Sequence, residues 1–222
     1  MTFHVFDVDY TLIKKSSSLY FLLEVLGEKL VRFEQVRGLL VDWLRYRLGR
    51  PNMDFIEEAI ARLAGLDQGA LEAAAKQCFE TRIKKNIYVD ACSLVRAAQD
   101  RGEPVVFASS TLKTILDPVE AFFGVQGSVS SELAFADGKT TGRLVRRSLF
   151  GGGKKAAVDA LLERAGVPWQ DVAFYSDSYT DLPLLEAAGR PVAVNPDRFL
   201  RRIASRRGWE TLRFTRTLGA GR

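Results

Sequence analysis

The sequence predicts an α/β protein with a doubly wound parallel sheet and an inserted helical domain. From residue 86 onward, short apolar runs of strand length alternate with helical patterns, which is typical of a parallel sheet covered by helices. A first strand, Phe3 to Asp7, is separated from the others by about 70 residues with helical periodicity. We therefore expect residues 1–15 and 86–222 to form the core domain and residues 16–85 to form a helical cap domain.

Composition excludes several classes of protein. The 222 residues are 47% hydrophobic and 27% charged, and no run reaches the ~18 apolar residues that a membrane span needs. The N-terminus lacks an export signal, and two cysteines do not make a disulfide framework, so we expect Cys78 and Cys92 to be reduced thiols of a cytoplasmic protein. Because His4 is the only histidine, a histidine-based metal site or catalytic triad is excluded.

The net charge of +5 is concentrated towards the C-terminus. The segment from Asn195 onward contains eight arginines and only two acidic residues, Asp197 and Glu210, which gives it a net charge of +6. The other 194 residues therefore have a net charge of −1. Such a segment is typical of a solvated final helix. It would also attract phosphorylated substrates or an anionic membrane surface. No nucleic-acid motif accompanies the arginines, so we do not expect RNA or DNA as a partner.

The predicted cap shows helical spacing of apolar residues along its length. The recurring positions are Leu19, Leu22, Leu23, Leu26 and Leu30, then Val36, Leu39, Leu40, Trp43 and Leu44. Another helix begins at Pro51-Asn52, and the stretch from Ala70 to Lys84 is helical again. Because these apolar stripes are wide, we expect a bundle of three or four helices.

The remaining elements follow in order along the chain. We predict a helix Ala91–Arg101, a strand Pro104–Ala108, a helix Thr111–Phe123, a hairpin of Gly127–Phe135 and Thr140–Val145 around Asp137-Gly138, a helix Gly153–Ala165, a strand Val172–Ser176, a helix Asp181–Ala188, a strand Pro191–Val194 and a helix Phe199–Arg206.

Polar groups follow the predicted strands at four places. In a doubly wound sheet, ligands bind beyond the carboxyl ends of the strands, so we expect these groups to face one edge. They are Asp7 and Asp9 after the first strand, Ser109, Ser110 and Thr111 after the second, Gly151 to Lys155 at the start of a helix, and Ser176 to Asp181 after a later strand.

These residue types together predict phosphate chemistry. Clustered carboxylates repel one another unless a cation lies among them, and oxygen ligands without histidine or thiolate favour Mg²⁺. Hydroxyl groups and a glycine-flanked lysine at a helix N-terminus bind anions. A carboxylate that is not needed for the metal can attack phosphorus and form an aspartyl-phosphate.

The motifs resemble those of the haloacid dehalogenase superfamily of phosphohydrolases. VFDVDYTL (Val5 to Leu12), the strand with Ser109, Lys154 and SDSYTD (Ser176 to Asp181) match its four motifs in order. The longer stretch SDSYTDLPLLEAAGRPVAVNPD is close to the phosphoserine-phosphatase-like subgroup. The resemblance implies a Rossmann-like core with a helical cap and a Mg²⁺-dependent phosphomonoester hydrolase acting through an aspartyl-phosphate.

The resemblance also implies a role for each matching side chain. Asp7 would be the nucleophile, and Asp9 would protonate the leaving alcohol and then activate water. Ser109 would donate to a phosphoryl oxygen, a role that Ser110 or Thr111 could share. Lys154, favoured over Lys155 because it directly follows the glycines, would offset the negative charge of nucleophile and phosphate.

The implied metal site uses the carboxylates at two strand ends. Mg²⁺ would be held by Asp7, by the backbone carbonyl of Asp9 and by Asp177. Asp181 would be a further ligand or would orient the waters of the metal. Asp177 and Asp181 could also be helix N-caps only. Tyr10 and Thr180 depart from the residues frequent in the family, but neither departure removes a group that the chemistry needs.

The substrate is less specified. In the resembling phosphatases a glutamate and a cap arginine bind phosphoserine. Ser16 falls at or near the place of the glutamate and Arg62 at or near that of the arginine, so half of this binding site is missing, which disfavours phosphoserine. The cap is rich in Leu, Phe and Tyr and carries Arg32, Arg37, Arg45 and Arg47. It would suit a lipid-derived phosphomonoester, or it packs on its own core with a basic exterior.

Three alternatives to a hydrolase remain. A phosphotransferase or phosphomutase would use the same intermediate. A signalling receiver domain shares clustered aspartates, a Ser/Thr and a lysine, but the helical insert and the late Ser176–Asp181 motif argue against it. A non-catalytic phospholigand-binding protein would have no need of the Asp7 and Asp9 pair.

Overall fold

The computed structural model describes residues 1–38, 60–125, 127–145, 149 and 152–220. Several predicted features lie outside the described residues, namely the start of the helix at Pro51-Asn52 and Leu39, Leu40, Trp43, Leu44, Arg45, Arg47 and Gly151.

The core of the described chain is a parallel sheet, as the sequence predicts, and this sheet has six strands. Its strands are β1 (Phe3–Phe6), β2 (Val105–Leu112), β3 (Ser128–Ser131), β6 (Val172–Ser176), β7 (Arg190–Val194) and β8 (Glu210–Leu212). Their order across the sheet is β3-β2-β1-β6-β7-β8. The first strand therefore lies at the centre, between β2 and β6, and its carboxyl end is flanked by theirs.

The central strands are buried on both faces, so they read as continuous apolar runs. Phe6 packs with Phe107 and Tyr175 on one face, and the rings of Phe6 and Tyr175 stack 4.1 Å apart. Val5 packs with Phe174 on the other face. This burial fixes the register of β1 and hence the direction of the side chains that follow it.

Seven helices of the described chain have full bounds. They are α1 (Ser17–Gly27), α2 (Gln68–Cys78), α3 (Val89–Asp100), α4 (Lys113–Phe123), α5 (Gly152–Ala165), α6 (Leu182–Ala187) and α7 (Arg198–Arg207). Helices α3 to α7 confirm the predicted α/β alternation to within a few residues. Gly124 and Gly208 end α4 and α7 in the left-handed conformation that glycine adopts without strain.

The predicted hairpin was wrong in its first arm. Residues Ser128–Ser131 are strand β3, which pairs in parallel with β2 at the edge of the central sheet. The hairpin consists only of β4 (Leu133–Ala136) and β5 (Lys139–Leu144), which form a separate antiparallel pair. Asp137 and Gly138 make its turn, and both have positive φ, as a type I′ turn requires.

This hairpin is bonded to the helical insert. Thr140 donates its backbone N–H to the carbonyl of Leu66 and accepts from Gly65 N, and Gly138 O accepts from Gln68 N. Gly142 approaches the insert so closely that an added Cβ would lie 2.9 Å from the carbonyl oxygen of Ala61. The hairpin and the insert are therefore in direct contact.

The insert begins with α1, whose buried face matches the predicted one only in part. Of the predicted leucine stripe, Leu22 and Leu26 pack half-buried against the core and Leu23 is exposed. The fully buried side chains of α1 are Ser17, Phe21, Glu24 and Val25. Glu24 can be buried because its carboxylate pairs with Arg82 Nε at 2.8 Å. The chain returns to the core through a π-helical turn (Phe79–Ile83) and a 3₁₀ turn (Lys84–Asn86).

Two further features bear on the sequence predictions. Cys78 is buried, Cys92 is half-buried, and both are free thiols. Within the described ranges, no helix has the length and apolar character needed to cross a membrane.

Candidate functional site

The carboxyl ends of β1 and β6 bring two of the predicted aspartates together. Phe6 pairs with Tyr175 in the register of these strands, and Asp7 N donates to Tyr175 O at 2.9 Å. Thr11 Oγ1 lies 3.2 Å from Asp7 Oδ2 and 3.4 Å from Asp177 Oδ1. Because one hydroxyl is near both carboxylates, Asp7 and Asp177 are close neighbours at this edge of the sheet.

Lys154 joins Asp7 to the fourth predicted aspartate. Its Nζ donates to Asp7 Oδ1 and to Asp181 Oδ2, both at 2.7 Å. Lys154 and Asp181 are each about 5% exposed, so these are buried, charge-assisted hydrogen bonds. Ser176 Oγ also donates to Asp181 Oδ2 at 2.7 Å, which leaves the orientation of that carboxylate fixed from two sides.

Lys155, the alternative to Lys154, points elsewhere. Its Nζ pairs with Asp159 one turn later at 2.6 Å and lies 4.6 Å from the centre of the Trp169 ring. The start of α5 therefore directs only the first of the two lysines to the aspartates.

Asp9 faces the beginning of the helical insert. Its Oδ1 accepts a hydrogen bond from the backbone N–H of Ser17, the first residue of α1, at 3.0 Å. The hydroxyl of Thr111 lies 3.4 Å from that of Ser17 and 3.2 Å from that of Ser18. Asp9 thus lies where the core, β2 and the insert meet.

The predicted serines lie inside a strand and not after it. Strand β2 continues to Leu112, so Ser109, Ser110 and Thr111 are part of it. Ser109 is buried, its Oγ accepts from Thr111 N at 3.2 Å, and it lies two residues after Phe107, which pairs with Phe6 at the end of β1. Ser110 is half-buried, and its carbonyl accepts from Ser131 Oγ.

Burial sets the electrostatics of the carboxylates. Burial raises the pKa of Asp7 to about 6, although Lys154 lowers it in part. Burial likewise raises the pKa of Asp9, although hydrogen bonds from Ser17 lower it in part. Burial also raises the pKa of Asp177, and the nearby negative charge of Asp7 raises it further.

Lys154 responds in the opposite sense to its surroundings. Burial by itself lowers the pKa of this ammonium group, but Asp181 and Asp7 outweigh burial and the net pKa is raised. Lys154 therefore stays charged at neutral pH. It is the only cation that hydrogen-bonds to these aspartates in the described part of the chain, so the site carries an excess of negative charge.

A hard cation would relieve that excess, and the donor set fits one. The ligands on offer are carboxylate and carbonyl oxygens, which Mg²⁺ prefers, and this ion commonly uses one or two carboxylates and keeps several waters. Among the described residues, no three Asp, Glu, His or Cys side chains converge on one point. Asp7 and Asp177, the two carboxylates that lie near the Thr11 hydroxyl, therefore suit a metal that takes further ligands from water.

Sequence reasoning missed two polar residues of this site. Thr11 sits within the apolar run after Asp9, yet it is fully buried, and its Oγ1 also accepts from Asp177 N at 3.0 Å. Ser176 was included in a motif but given no role, although it holds Asp181 and accepts from Ser178 N. A hydroxyl residue within or directly after an apolar run, close to a predicted aspartate, was the available signal.

Comparisons with known proteins agree with the geometry. The family model described as haloacid dehalogenase-like hydrolase matches residues 4–186. A phosphoserine phosphatase of Mycobacterium tuberculosis is 31% identical over 210 residues, which cover 92% of this chain and 68% of the relative. A histidinol-phosphatase of Neisseria meningitidis is 30% identical over 216 residues, covering 95% of this chain and 97% of the relative.

Among solved structures, a protein of unknown function from Bordetella pertussis is similar in fold. It superimposes with a TM-score of 0.83 at 30% sequence identity, and the match covers 96% of this chain and 99% of that one. The predicted superfamily and its Rossmann-like core are thereby confirmed.

Proposed function

This chain belongs to the haloacid dehalogenase-like hydrolase family and is an enzyme of the phosphatase type, and we propose that it hydrolyses a phosphomonoester through a phospho-aspartate on Asp7 with the help of Mg²⁺. The observation that carries the proposal is the buried bridge from Asp7 through Lys154 to Asp181, with Asp177 alongside. A lysine held against a nucleophile in this way offsets the charge of both the carboxylate and an incoming phosphoryl group.

Asp7 acts as the nucleophile, and Asp9 acts first as the general acid and then as the general base. A carboxylate oxygen of Asp7 attacks phosphorus while the bond from phosphorus to the leaving oxygen breaks. Asp9 gives its proton to that oxygen, and burial supports this role because it raises the pKa of Asp9 above its ordinary value. Asp9 then takes a proton from the water that attacks the phospho-aspartate, which returns Asp7 and releases phosphate.

Other side chains bind and orient. The Ser109 hydroxyl, with Ser110 or Thr111 as neighbours, donates to a phosphoryl oxygen. Asp7, the carbonyl of Asp9 and Asp177 would hold Mg²⁺, with Asp181 as a further ligand or an anchor for its waters. When bound, the metal would supply charge neutralisation in the transition state.

Residues 16–85 act, we propose, as a cap over this site, with the division into domains at residues 15 and 86. The two connections lie side by side, because Lys14 N donates to Asn86 O at 2.9 Å and Tyr88 N donates to Leu12 O at 3.0 Å. Both connections therefore leave the core beside Asp9, whose carboxylate accepts from the first residue of α1. A gating cap would control the access of water to the intermediate.

A small or lipid-derived phosphomonoester is the proposed substrate. The relatives include a phosphoserine phosphatase and a histidinol-phosphatase. Ser16 speaks against phosphoserine here, because its buried hydroxyl caps α1 by accepting from Leu19 N and offers no carboxylate for an ammonium group. A cytoplasmic location and a contact of the basic C-terminal segment with an anionic membrane stay predictions.

Phosphate release from a panel of esters tests the proposal. The panel would hold an aryl phosphate, phosphoserine, histidinol phosphate, sugar phosphates and lysophospholipid phosphates, each assayed with Mg²⁺ and with EDTA. We expect Mg²⁺-dependent release that Asp7→Asn abolishes and that Asp100→Asn retains, since Asp100 is exposed and pairs with Arg96 on α3. Release that survives Asp7→Asn would refute the phospho-aspartate, and products in which an added alcohol carries the phosphate would favour a phosphotransferase.

A further inference from the structure

A fifth polar segment meets the site at the end of β7. This strand is the neighbour of β6 in the sheet, and Ala193 pairs with Ser176 in their register. The residues Asn195, Pro196 and Asp197 that follow β7 therefore lie beside the loop that carries Asp177. Asp197 is the residue through which the two loops are bonded.

Asp197 contacts the Asp177 loop with both its backbone and its side chain. Its backbone N–H donates to Asp177 O at 2.8 Å, and its Oδ2 accepts from Tyr179 N at 2.8 Å. On the other side, Asp177 N donates to Thr11 Oγ1 at 3.0 Å. The peptide groups before and after Asp177 are thus both fixed, which leaves only side-chain rotation to its carboxylate.

The two oxygens of Asp197 have separate partners. Oδ1 accepts from the backbone N–H groups of Phe199 and Leu200, each at 2.8 Å, and so caps α7. Oδ2 is bonded to Tyr179, which begins the 3₁₀ turn Tyr179–Asp181. That turn ends at Asp181, whose carboxylate pairs with Lys154. A helix cap needs only the first oxygen, so the second contact has no part in holding α7.

We propose that Asp197 is a positioning residue that holds the Asp177 loop in the geometry needed to bind Mg²⁺. The inference rests on the proposed metal site. Partners that orient a ligand without touching the metal typically change metal affinity by about 10–100-fold when they are removed. The alternative is that Asp197 serves α7 alone.

A serine substitution separates the two roles. Asp197→Ser keeps a side-chain oxygen for capping α7 but leaves Tyr179 N without its acceptor, because serine is a good N-cap with a single short hydroxyl. Asp67→Ser is the matched control, since Asp67 caps α2 by accepting from Ala70 N at 2.8 Å and is bonded to no residue of the Asp177 loop. Asp197→Asn is a second variant of unchanged size, which places an NH₂ group opposite Tyr179 N–H if its oxygen caps α7.

Mg²⁺ affinity is measured by calorimetric titration of each purified protein and, separately, from the Mg²⁺ midpoint of phosphate release. We expect Asp197→Ser and Asp197→Asn to bind Mg²⁺ about 10–100-fold more weakly than the wild type, and Asp67→Ser to bind it equally well. Wild-type affinity in both Asp197 variants, beside a wild type that binds Mg²⁺, would overturn the inference. A wild type that neither binds Mg²⁺ nor responds to it would overturn the metal site itself.

Ionic strength distinguishes positioning from the loss of one negative charge. A charge effect is screened, because the Debye length falls from ~14 Å at ~0.05 M salt to ~4 Å at ~0.5 M. A fixed hydrogen-bonded geometry is not screened. We expect the loss of affinity in Asp197→Ser relative to wild type to persist at high salt, and its disappearance there would overturn the positioning role.

Discussion

Replacing Lys154 by methionine should destabilise the protein in a pH-dependent manner. The substitution keeps the length of the side chain but removes the ammonium group that hydrogen-bonds to Asp7 and Asp181. Both carboxylates then remain buried without a cation. Lys155→Met is the matched control, because it makes the same change at the next residue of α5, where the lysine is partly exposed and pairs with Asp159.

The size of the effect follows from the contacts. Removing one partner of a buried ion pair costs about 3–5 kcal/mol, and two hydrogen bonds to charged groups at about 1.5–3 kcal/mol each give a similar figure. For Lys155, an i,i+4 surface pair contributes about 0.3–0.5 kcal/mol and the contact with the Trp169 ring about 0.5–1 kcal/mol. The two variants should therefore differ by a few kcal/mol.

The sign of the pH dependence follows from the raised pKa of Asp7, about 6 even with Lys154 present. Without Lys154, a carboxylate of the folded protein takes up a proton at higher pH, whereas in the unfolded chain it does so near its ordinary value. The folded variant thus binds more protons between these values, so its stability falls as pH rises through them, by up to about 1.4 kcal/mol per pH unit per proton.

Urea unfolding without metal at pH 7.5 and pH 5.5 measures both the loss of unfolding free energy and its dependence on pH. We expect Lys154→Met to lose about 3 kcal/mol at pH 7.5 and clearly less at pH 5.5, and Lys155→Met to lose about 1 kcal/mol or less at either pH. Phosphatase activity should fall by about 10²–10³-fold in the first variant and be retained in the second. Equal destabilisation by the two substitutions, or a loss independent of pH, would refute this account of the Lys154 bridge.

Two further predictions concern the sheet around the site. Burial lowers the pKa of His4, although Glu103 raises it in part, so below about pH 6.5 the unfolded chain binds more protons than the folded protein and stability falls as the pH drops. The unfolding free energy of wild type should therefore fall more steeply than that of His4→Gln between pH 7.5 and 5.5, and parallel curves would contradict this. Gly189→Ala would press a Cβ against the carbonyl of Gln170, so we expect a loss of about 1–3 kcal/mol or more. Gly27→Ala is the control, because an added Cβ would enter open space there, and it should not lower the unfolding free energy. Thermal unfolding measures both variants, and an equal change in stability in the two would show that the contact with Gln170 is tolerated.

The aspartates of the site could be located from the sequence because apolar runs predict where the strands end. Asp7 and Asp177 each follow a buried apolar run, and parallel strands bring their carboxyl ends to one edge, so their proximity follows from topology alone. The bond between Lys154 and Asp7 spans 147 positions of the chain. Only the assignment of Lys154 to a motif, and not any local pattern, could anticipate it.

What the sequence did not reveal depends on long-range pairing. The run from Gly127 to Phe135 looks like one strand, but Ser128–Ser131 pairs with β2 and the chain then turns away, a partition that local residues do not encode. The strand β8 has mostly exposed side chains and therefore no alternating pattern. In α1, Glu24 is buried because it pairs with Arg82, which lies 58 positions later in the chain and is not part of any local pattern.

Phosphoryl transfer to Asp7 is tested most directly with Asp9→Asn and an aryl phosphate. An aryl leaving group needs no proton, so the first step should proceed without Asp9, whereas hydrolysis of the intermediate needs a base. We predict a burst of about one equivalent of released phenolate per enzyme followed by a stall, with a phosphoryl group found on Asp7 by peptide mass spectrometry. Steady turnover by Asp9→Asn at the wild-type rate, or a burst that leaves Asp7 unmodified, would contradict the phospho-aspartate mechanism.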